Sequence, residues 1–186
     1  YVTRLESNYL EQLEELAKSN KVIAIGEIGL DYYWEKDPQK REKQKLFFVE
    51  QLKLANKLGL PVSIHARDAI DDVYKILKEN NVTQKGVLHC YSGPTSMVQK
   101  FVDLGYFLGF DGPITYKNSV APKENVKACP IDRILSETDS PYLTPVPFRG
   151  SINYPKYVPH IVEEMANLKN VPVDEMEKTI NQNLQQ

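Results

Sequence analysis

Apolar positions along the chain switch between two periods. Residues 8–19 carry Leu10, Leu13 and Leu16 at helical spacing among acidic residues, which predicts an amphipathic helix. The segment "KVIAIGEIG" at 21–29 is instead a run of small and branched apolar residues, typical of a strand buried on both faces. This pair of patterns recurs, and four later strands are predicted at "LPVSIHAR", "KGVLHC", "YFLGF" and "RILSETD".

Capping residues mark the boundaries of the helices between these strands. Asp37 followed by Pro38 predicts the start of a helix that Gly59 ends, and Asp68 predicts the cap of the next one. The predicted helices share apolar stripes at three- and four-residue spacing: Phe48, Leu52 and Ala55; Ile70, Val73 and Leu77; Met97, Val98, Phe101 and Val102; Ile161, Met165 and Leu168; Met176, Ile180 and Leu184.

Five strands alternating with helices through short connections predict right-handed crossovers and a parallel sheet. Composition does not shift along the chain and no linker divides it, so we expect one domain over residues 1–186. A doubly wound open sheet and a (β/α)8 TIM barrel both satisfy this alternation. The position of the polar residues decides between them.

Composition and charge exclude several classes of protein. The formal net charge is -2 and the sequence pI is about 6.0, so no global positive field attracts a polyanion, and contact with nucleic acid must be local. Two cysteines, Cys90 and Cys129, are too few for a disulfide scaffold, which favours a reducing cytoplasm. No apolar stretch approaches the ~20 residues that cross a bilayer, so we expect no membrane association.

Each of four predicted strands terminates in a potential metal ligand: Glu27 follows "VIAIG", His65 follows "PVSI", His89 follows "KGVL" and Asp139 follows "RILSET". In a barrel, parallel strands end at one mouth, so residues far apart in sequence become neighbours there. Two imidazoles and two carboxylates suit zinc, manganese or a similar divalent ion. The pattern therefore predicts a shared metal site.

Each of these residues also has a structural interpretation. A single histidine such as His65 or His89 is more often a hydrogen-bonded, half-buried residue than a ligand. Glu27 alone fits a surface acid, and Asp139 before a Ser-Pro pair fits an ordinary turn. Their agreement at four equivalent positions favours the metal site. The third histidine, His160, lies within a predicted helix and is assigned a structural role.

Four segments, "AIGEIGLDYY", "PVSIHARDA", "GVLHCYSG" and "ETDSPYL", resemble in order and spacing the signature segments of the TatD family of metal-dependent deoxyribonucleases, which are amidohydrolase-like TIM barrels. The resemblance covers essentially the whole chain. It implies hydrolysis of DNA phosphodiester bonds by a one- or two-metal site at the carboxyl ends of the barrel strands. It also implies that Glu27 bridges two ions (Zn, Mg or Mn), that His65 and His89 hold one, and that Asp139 holds the other and takes the proton of the attacking water.

The sequence departs from the family pattern at its start. Family members open with a strand ending in a His-x-His pair, and no such pair occurs in this sequence. A TIM barrel typically needs ~250 residues, whereas only five core strands are predicted here. We therefore expect an incomplete (β/α)8 domain, truncated at its N-terminus relative to the family, that self-associates or pairs with a missing N-terminal segment.

Arg67 follows His65 by two residues and so points to the same side of its strand. It is a candidate phosphate contact, and an ion pair with Asp68 or Asp71 is the alternative. Tyr32, Tyr33 and Trp34 follow Glu27, where rings can stack on exposed bases, although packing is the commoner role of such aromatics.

Two other functions are consistent with the same residues. A barrel mouth of this kind also activates water against a lactone, ester or amide, and the four ligands alone do not distinguish those substrates from a phosphodiester. The absent His-x-His pair favours a third possibility, a non-catalytic fragment that binds a metal ion or a partner chain.

Overall fold

A computed structural model describes residues 8–186, which contain five parallel strands and seven α-helices in two compact units. The first unit extends to Leu88 and the second from His89 to Gln186. The elements of the first unit are α1 (Tyr9–Leu16), β1 (Ile25–Asp31), α2 (Pro38–Leu58), β2 (Val62–Arg67), α3 (Ile70–Glu79) and β3 (Gly86–Leu88).

Strand β2 pairs in parallel with both β1 and β3 in the first unit. Gly29 lies opposite His65 and Asp31 opposite Arg67. Because side chains alternate along a strand, Ile28 and its partner on β2 face the buried side while these four residues share the other side. The register thus places polar chemistry on one face of β1 and β2.

Helix α2 follows the predicted capping signals. The carboxylate of Asp37 accepts a hydrogen bond of 2.8 Å from the backbone N–H of Gln39, and Pro38 fills the first helical position. Gly59 ends the helix with φ of 65°, a conformation that glycine adopts without steric cost. The predicted stripe is fully buried: Phe48, Leu52 and Ala55.

Two predictions about the first unit are wrong. Strand β1 begins at Ile25, and Ile23 is 79% exposed. The first residues of the apolar run are therefore neither part of the strand nor buried in the core. Asp68 does not cap α3, because it takes a left-handed conformation with φ of 53° and Ala69 occupies the cap position without a side-chain hydrogen bond. A residue that caps a helix typically has extended backbone, so the left-handed conformation of Asp68 does not match the predicted cap.

The second unit contains α4 (Val98–Asp103), β4 (Phe107–Phe110), α5 (Val120–Ala128), β5 (Ile134–Ser136), α6 (Val158–Lys169) and α7 (Val173–Leu184). Strands β4 and β5 pair in parallel, with Leu108 opposite Ile134. All four residues of β4 are buried, as expected for a strand covered on both faces. The predicted stripes of α6 and α7 supply Ile161, Met165 and Met176 to the core, whereas Leu184 is exposed.

Residues 8–186 contain no helix with both the length and the hydropathy that crossing a bilayer requires.

Helix α2 allows a matched test of the core. Leu52→Ala should lower the free energy of unfolding by ~2–5 kcal/mol, because it leaves a cavity at a fully buried position. Leu46→Ala removes the same atoms from a residue that is 68% exposed, and should cost less than ~0.5 kcal/mol. Urea denaturation measures both, and equal losses would contradict the assigned helix face.

Candidate metal centre

Glu27 owes its position to an irregularity in β1. The three-residue step from Ile25 to Ile28 lies opposite the two-residue step from Val62 to Ile64 on β2, so the pairing slips within the stretch that contains Glu27. Such a bulge redirects a side chain without breaking the strand. Oε1 of Glu27 lies 2.7 Å from Nδ1 of His65. Glu27 and His65 are therefore in contact, and each lies inside a strand that continues beyond it, whereas the prediction placed each at the point where its strand terminates.

Asp31, the last residue of β1, contacts the other side of the same imidazole. Its Oδ2 lies 3.0 Å from Nε2 of His65. Because the carboxylates of Glu27 and Asp31 meet opposite ring nitrogens, only one of them can share an ion with His65 while the other orients the ring. Sequence reasoning missed Asp31, although it lies two residues after Gly29, the residue paired with His65.

These carboxylates favour the charged imidazole. The pKa of His65 is raised above its ordinary value, chiefly by the hydrogen bond to Glu27 and further by Asp31, and these effects outweigh burial, which lowers it. The same donors attract a divalent cation in place of the proton. A carboxylate–imidazole pair of this kind suits zinc or manganese.

His89 has an equivalent arrangement in the second unit. It follows directly after β3, and its Nδ1 is hydrogen-bonded to the carboxylate of Glu137. Its Nε2 lies 3.4 Å from Oδ1 of Asp139, which is in the connection after β5. One carboxylate orients the ring through Nδ1 and the other lies near its second nitrogen. His89 and Asp139 are thus brought together, and Glu137 is a second carboxylate that sequence reasoning missed.

Glu137 is held in place by backbone. Its other carboxylate oxygen accepts the N–H of Cys90, and its own N–H donates to the carbonyl of Phe110 over 3.0 Å. A Cβ at Gly109 would lie 2.2 Å from Oε1 of Glu137, so any side chain at this position would displace the carboxylate from its present place. The small residue in β4 therefore fixes how the ring of His89 is presented.

A further donor group lies beside these residues. The thiol of Cys90 donates to Oδ2 of Asp111 over 3.0 Å, and one donor atom each from Cys90, Asp111 and Asp139 lie within 4.8 Å of one another. Asp111 is 4% exposed, and burial raises its pKa to about 7, with the negative charges of Glu137 and Asp139 acting in the same direction. Burial also raises the pKa of the Cys90 thiol. This excess of carboxylates suits a cation.

The remaining predicted residues lie apart from these contacts. The guanidinium of Arg67 lies over the ring of Tyr33, 3.9 Å from its centroid, an arrangement that neither the phosphate nor the ion-pair interpretation predicts. His160 lies in α6 with its ring edge-on to Phe148, 5.4 Å between centroids, in agreement with a structural role.

Comparison with known proteins identifies the family. The family described as TatD related DNase matches residues 1–186. The metal-dependent hydrolase YabD of Bacillus subtilis is 43% identical over 175 residues, covering 94% of this chain and 68% of that protein. The metal-dependent hydrolase YcfH of Escherichia coli K12 is 40% identical and is covered over 65% of its length. The chain therefore belongs to the TatD related DNase family and spans about two thirds of these relatives.

Solved structures agree with this assignment. YJJV, a TatD homologue from Escherichia coli K12, is similar over 98% of this chain and 70% of its own, with a TM-score of 0.91 and 34% identity. A TatD family hydrolase from Entamoeba histolytica is similar over 96% of this chain and 68% of its own length, with a TM-score of 0.81 and 25% identity. The predicted class, an α/β chain of the TIM-barrel family with five parallel strands, is confirmed.

We expect Glu27→Gln to lower the pKa of His65 in metal-free protein, because it removes the largest favourable contact of the imidazolium, and Asp31→Asn to lower it by less. Since the folded-state pKa is raised, this contact stabilises the fold below the unfolded-state value of ~6.5 and is lost as pH rises through the folded-state value. NMR titration of the histidine C2 proton in chelator measures the shift. An unchanged midpoint in both variants, as expected for the exposed control Asp71→Asn, would contradict the contacts.

Asp111 should make stability fall as pH rises. Its carboxyl binds a proton more tightly in the folded state, with a pKa of about 7 against ~3.9 unfolded, so stability declines between those values, by an amount on the order of a few kcal/mol. Asp111→Asn should flatten that decline in urea denaturation of metal-free protein. The control Asp103→Asn changes an exposed carboxylate on α4 and should leave the decline intact.

Proposed function

We propose that this chain is part of a metal-dependent nuclease that hydrolyses phosphodiester bonds at DNA ends or in single strands. One observation carries the proposal: in a chain matched over its whole length by the TatD related DNase family, two histidines each contact two carboxylates. That arrangement provides ligands for a divalent ion together with groups that orient them.

These nitrogen and oxygen donors fit a divalent metal ion, which the description of this chain's relatives as metal-dependent hydrolases implies. We assign Glu27, His65, His89 and Asp139 as ligands, and imidazole with carboxylate favours zinc or manganese over magnesium. Asp31 and Glu137 orient the two rings. A bound divalent ion supplies Lewis acidity, which lowers the pKa of a water molecule and neutralises charge on a phosphate.

The chain's own groups supply the remaining chemistry. The side chain of Asp139 is 33% exposed, so it is accessible to accept the proton of an attacking water as a general base. Arg67 is a fixed, exposed cation suited to contact the substrate phosphate.

Both cysteines are free thiols, Cys90 and Cys129, which supports a reducing compartment such as the cytoplasm.

A cleavage assay tests the proposal. The chain should degrade a labelled single-stranded oligonucleotide with Mn²⁺ or Mg²⁺, and a chelator should abolish the activity. Asp139→Ala should reduce the rate ~10²- to 10⁴-fold, the usual contribution of a general acid–base group. Asp103→Ala, the same substitution at an exposed position on α4, should leave the rate unchanged.

Two outcomes of this assay count against the proposal. Cleavage that Asp139→Ala does not slow would remove Asp139 from the mechanism. Metal-dependent turnover of a lactone, ester or amide panel, with no turnover of DNA, would keep the hydrolytic site and replace the substrate.

A further inference from the structure

Residues 32–36, which we call the aromatic loop, are tied to His65 through one carboxylate. While Oδ2 of Asp31 contacts the imidazole, Oδ1 accepts the backbone N–H groups of Tyr33 and Trp34, each over 3.0 Å. A single side chain therefore fixes the start of the loop relative to a proposed metal ligand.

Cationic side chains hold the rest of the aromatic loop. Arg41, on α2, donates to the carbonyls of Glu35 and Tyr32 over 2.8 and 3.1 Å. Lys36 Nζ donates to the carbonyl of Tyr32 over 2.8 Å. The loop is thus ordered before any ligand arrives, so little conformational entropy is lost when one binds.

Trp34 is the exposed ring of this loop. The residue is 70% exposed, and its ring meets the ring of Tyr33 edge-on, with centroids 4.8 Å apart and planes at 88°. Two cations contact the ring of Tyr33: Arg67 lies 3.9 Å and Lys36 5.6 Å from its centroid. The guanidinium of Arg67 also lies 5.9 Å from the centroid of the indole, which remains largely accessible to solvent.

Charge around the indole favours an anionic ligand with a flat group. The carboxylate of Asp31 is engaged by three donors, and that of Glu35 accepts the N–H of Asp37 and lies 3.8 Å from Lys40. Arg67 and Lys36 are placed against rings and a carbonyl instead. An accessible aromatic face beside cations is how proteins bind single-stranded nucleic acid.

We propose that the indole of Trp34 stacks on an unpaired base of single-stranded DNA, with Arg67 and Lys36 beside it to contact the adjoining phosphates. This subsite rests on the proposed nuclease function, because the single-stranded DNA that it binds is the substrate that approaches His65. Because Asp31 contacts both the loop and His65, it sets the distance between the stacked base and that proposed metal ligand. Only an unpaired base can stack on the indole, so the loop selects for single strands.

The only tryptophan in the sequence is Trp34, so its fluorescence reports this contact directly. In metal-free protein with chelator, oligothymidylate of about ten nucleotides, within the usual single-strand site size, should quench the emission. An abasic oligonucleotide of equal length carries the same phosphates without bases, and a blunt duplex has no unpaired base. Both should leave the emission unchanged, and quenching by either would overturn the proposal.

Variants separate stacking from charge. Trp34→Ala should weaken binding of a labelled oligothymidylate ~5- to 150-fold in fluorescence anisotropy, equivalent to ~1–3 kcal/mol per stacked base. Trp34→Phe should retain part of that affinity, because it keeps a smaller ring. Tyr154→Ala removes another half-exposed ring near a lysine and should bind like the parent chain. Loss of less than about twofold in Trp34→Ala, or an equal loss in Tyr154→Ala, would overturn the assignment.

Binding and cleavage are measured separately, so the two proposals fail separately. Base-dependent quenching without metal-dependent cleavage would uphold the Trp34 subsite and overturn the nuclease. Cleavage of single strands without quenching would uphold the nuclease and overturn the subsite.

Discussion

The chemistry of this chain depends on two imidazole rings that are each held between two carboxylates. A neutral histidine cannot satisfy two acceptors with one proton, so each group is best balanced when the ring or its surroundings carry a positive charge. Buried negative charge is costly without such a partner. The hydrogen bond to Glu27 raises the pKa of His65, whereas burial, with the charges of Glu137 and Asp139, raises the pKa of Asp111. A divalent cation is the natural way to balance these carboxylates.

The sequence contained enough information for the class of fold and for two pairs of candidate residues that the structure brings into contact, Glu27 with His65 and His89 with Asp139. The switch between helical and strand periods locates the five strands, because burial imposes those periods directly. It did not locate the ends of the strands, since β1 begins only at Ile25, inside the apolar run, and β3 and β5 are each only three residues long. Strand ends depend on pairing partners and on left-handed residues such as Asp68, which a hydrophobic pattern does not contain.

Asp31 and Glu137 show why part of the site was not predicted. Each is a second carboxylate on a ring that sequence reasoning had already assigned, and each lies on a strand or just after one. Two-residue alternation from Gly29 places Asp31 on the same side as His65, but it does not extend to Glu137, because Asp139 lies beyond β5 with φ of 53°. The bulge at Glu27 has no such signal, because a slip in register is a property of two strands together.

The contact between Gly109 and Glu137 has a consequence for how this chain can vary. The missing side chain at one position and the long carboxylate at the other fill a single volume, so neither residue has an independent set of acceptable replacements. Changes at the two positions should therefore be strongly non-additive. An engineer who wishes to retune the ring of His89 must treat positions 109 and 137 as one design variable.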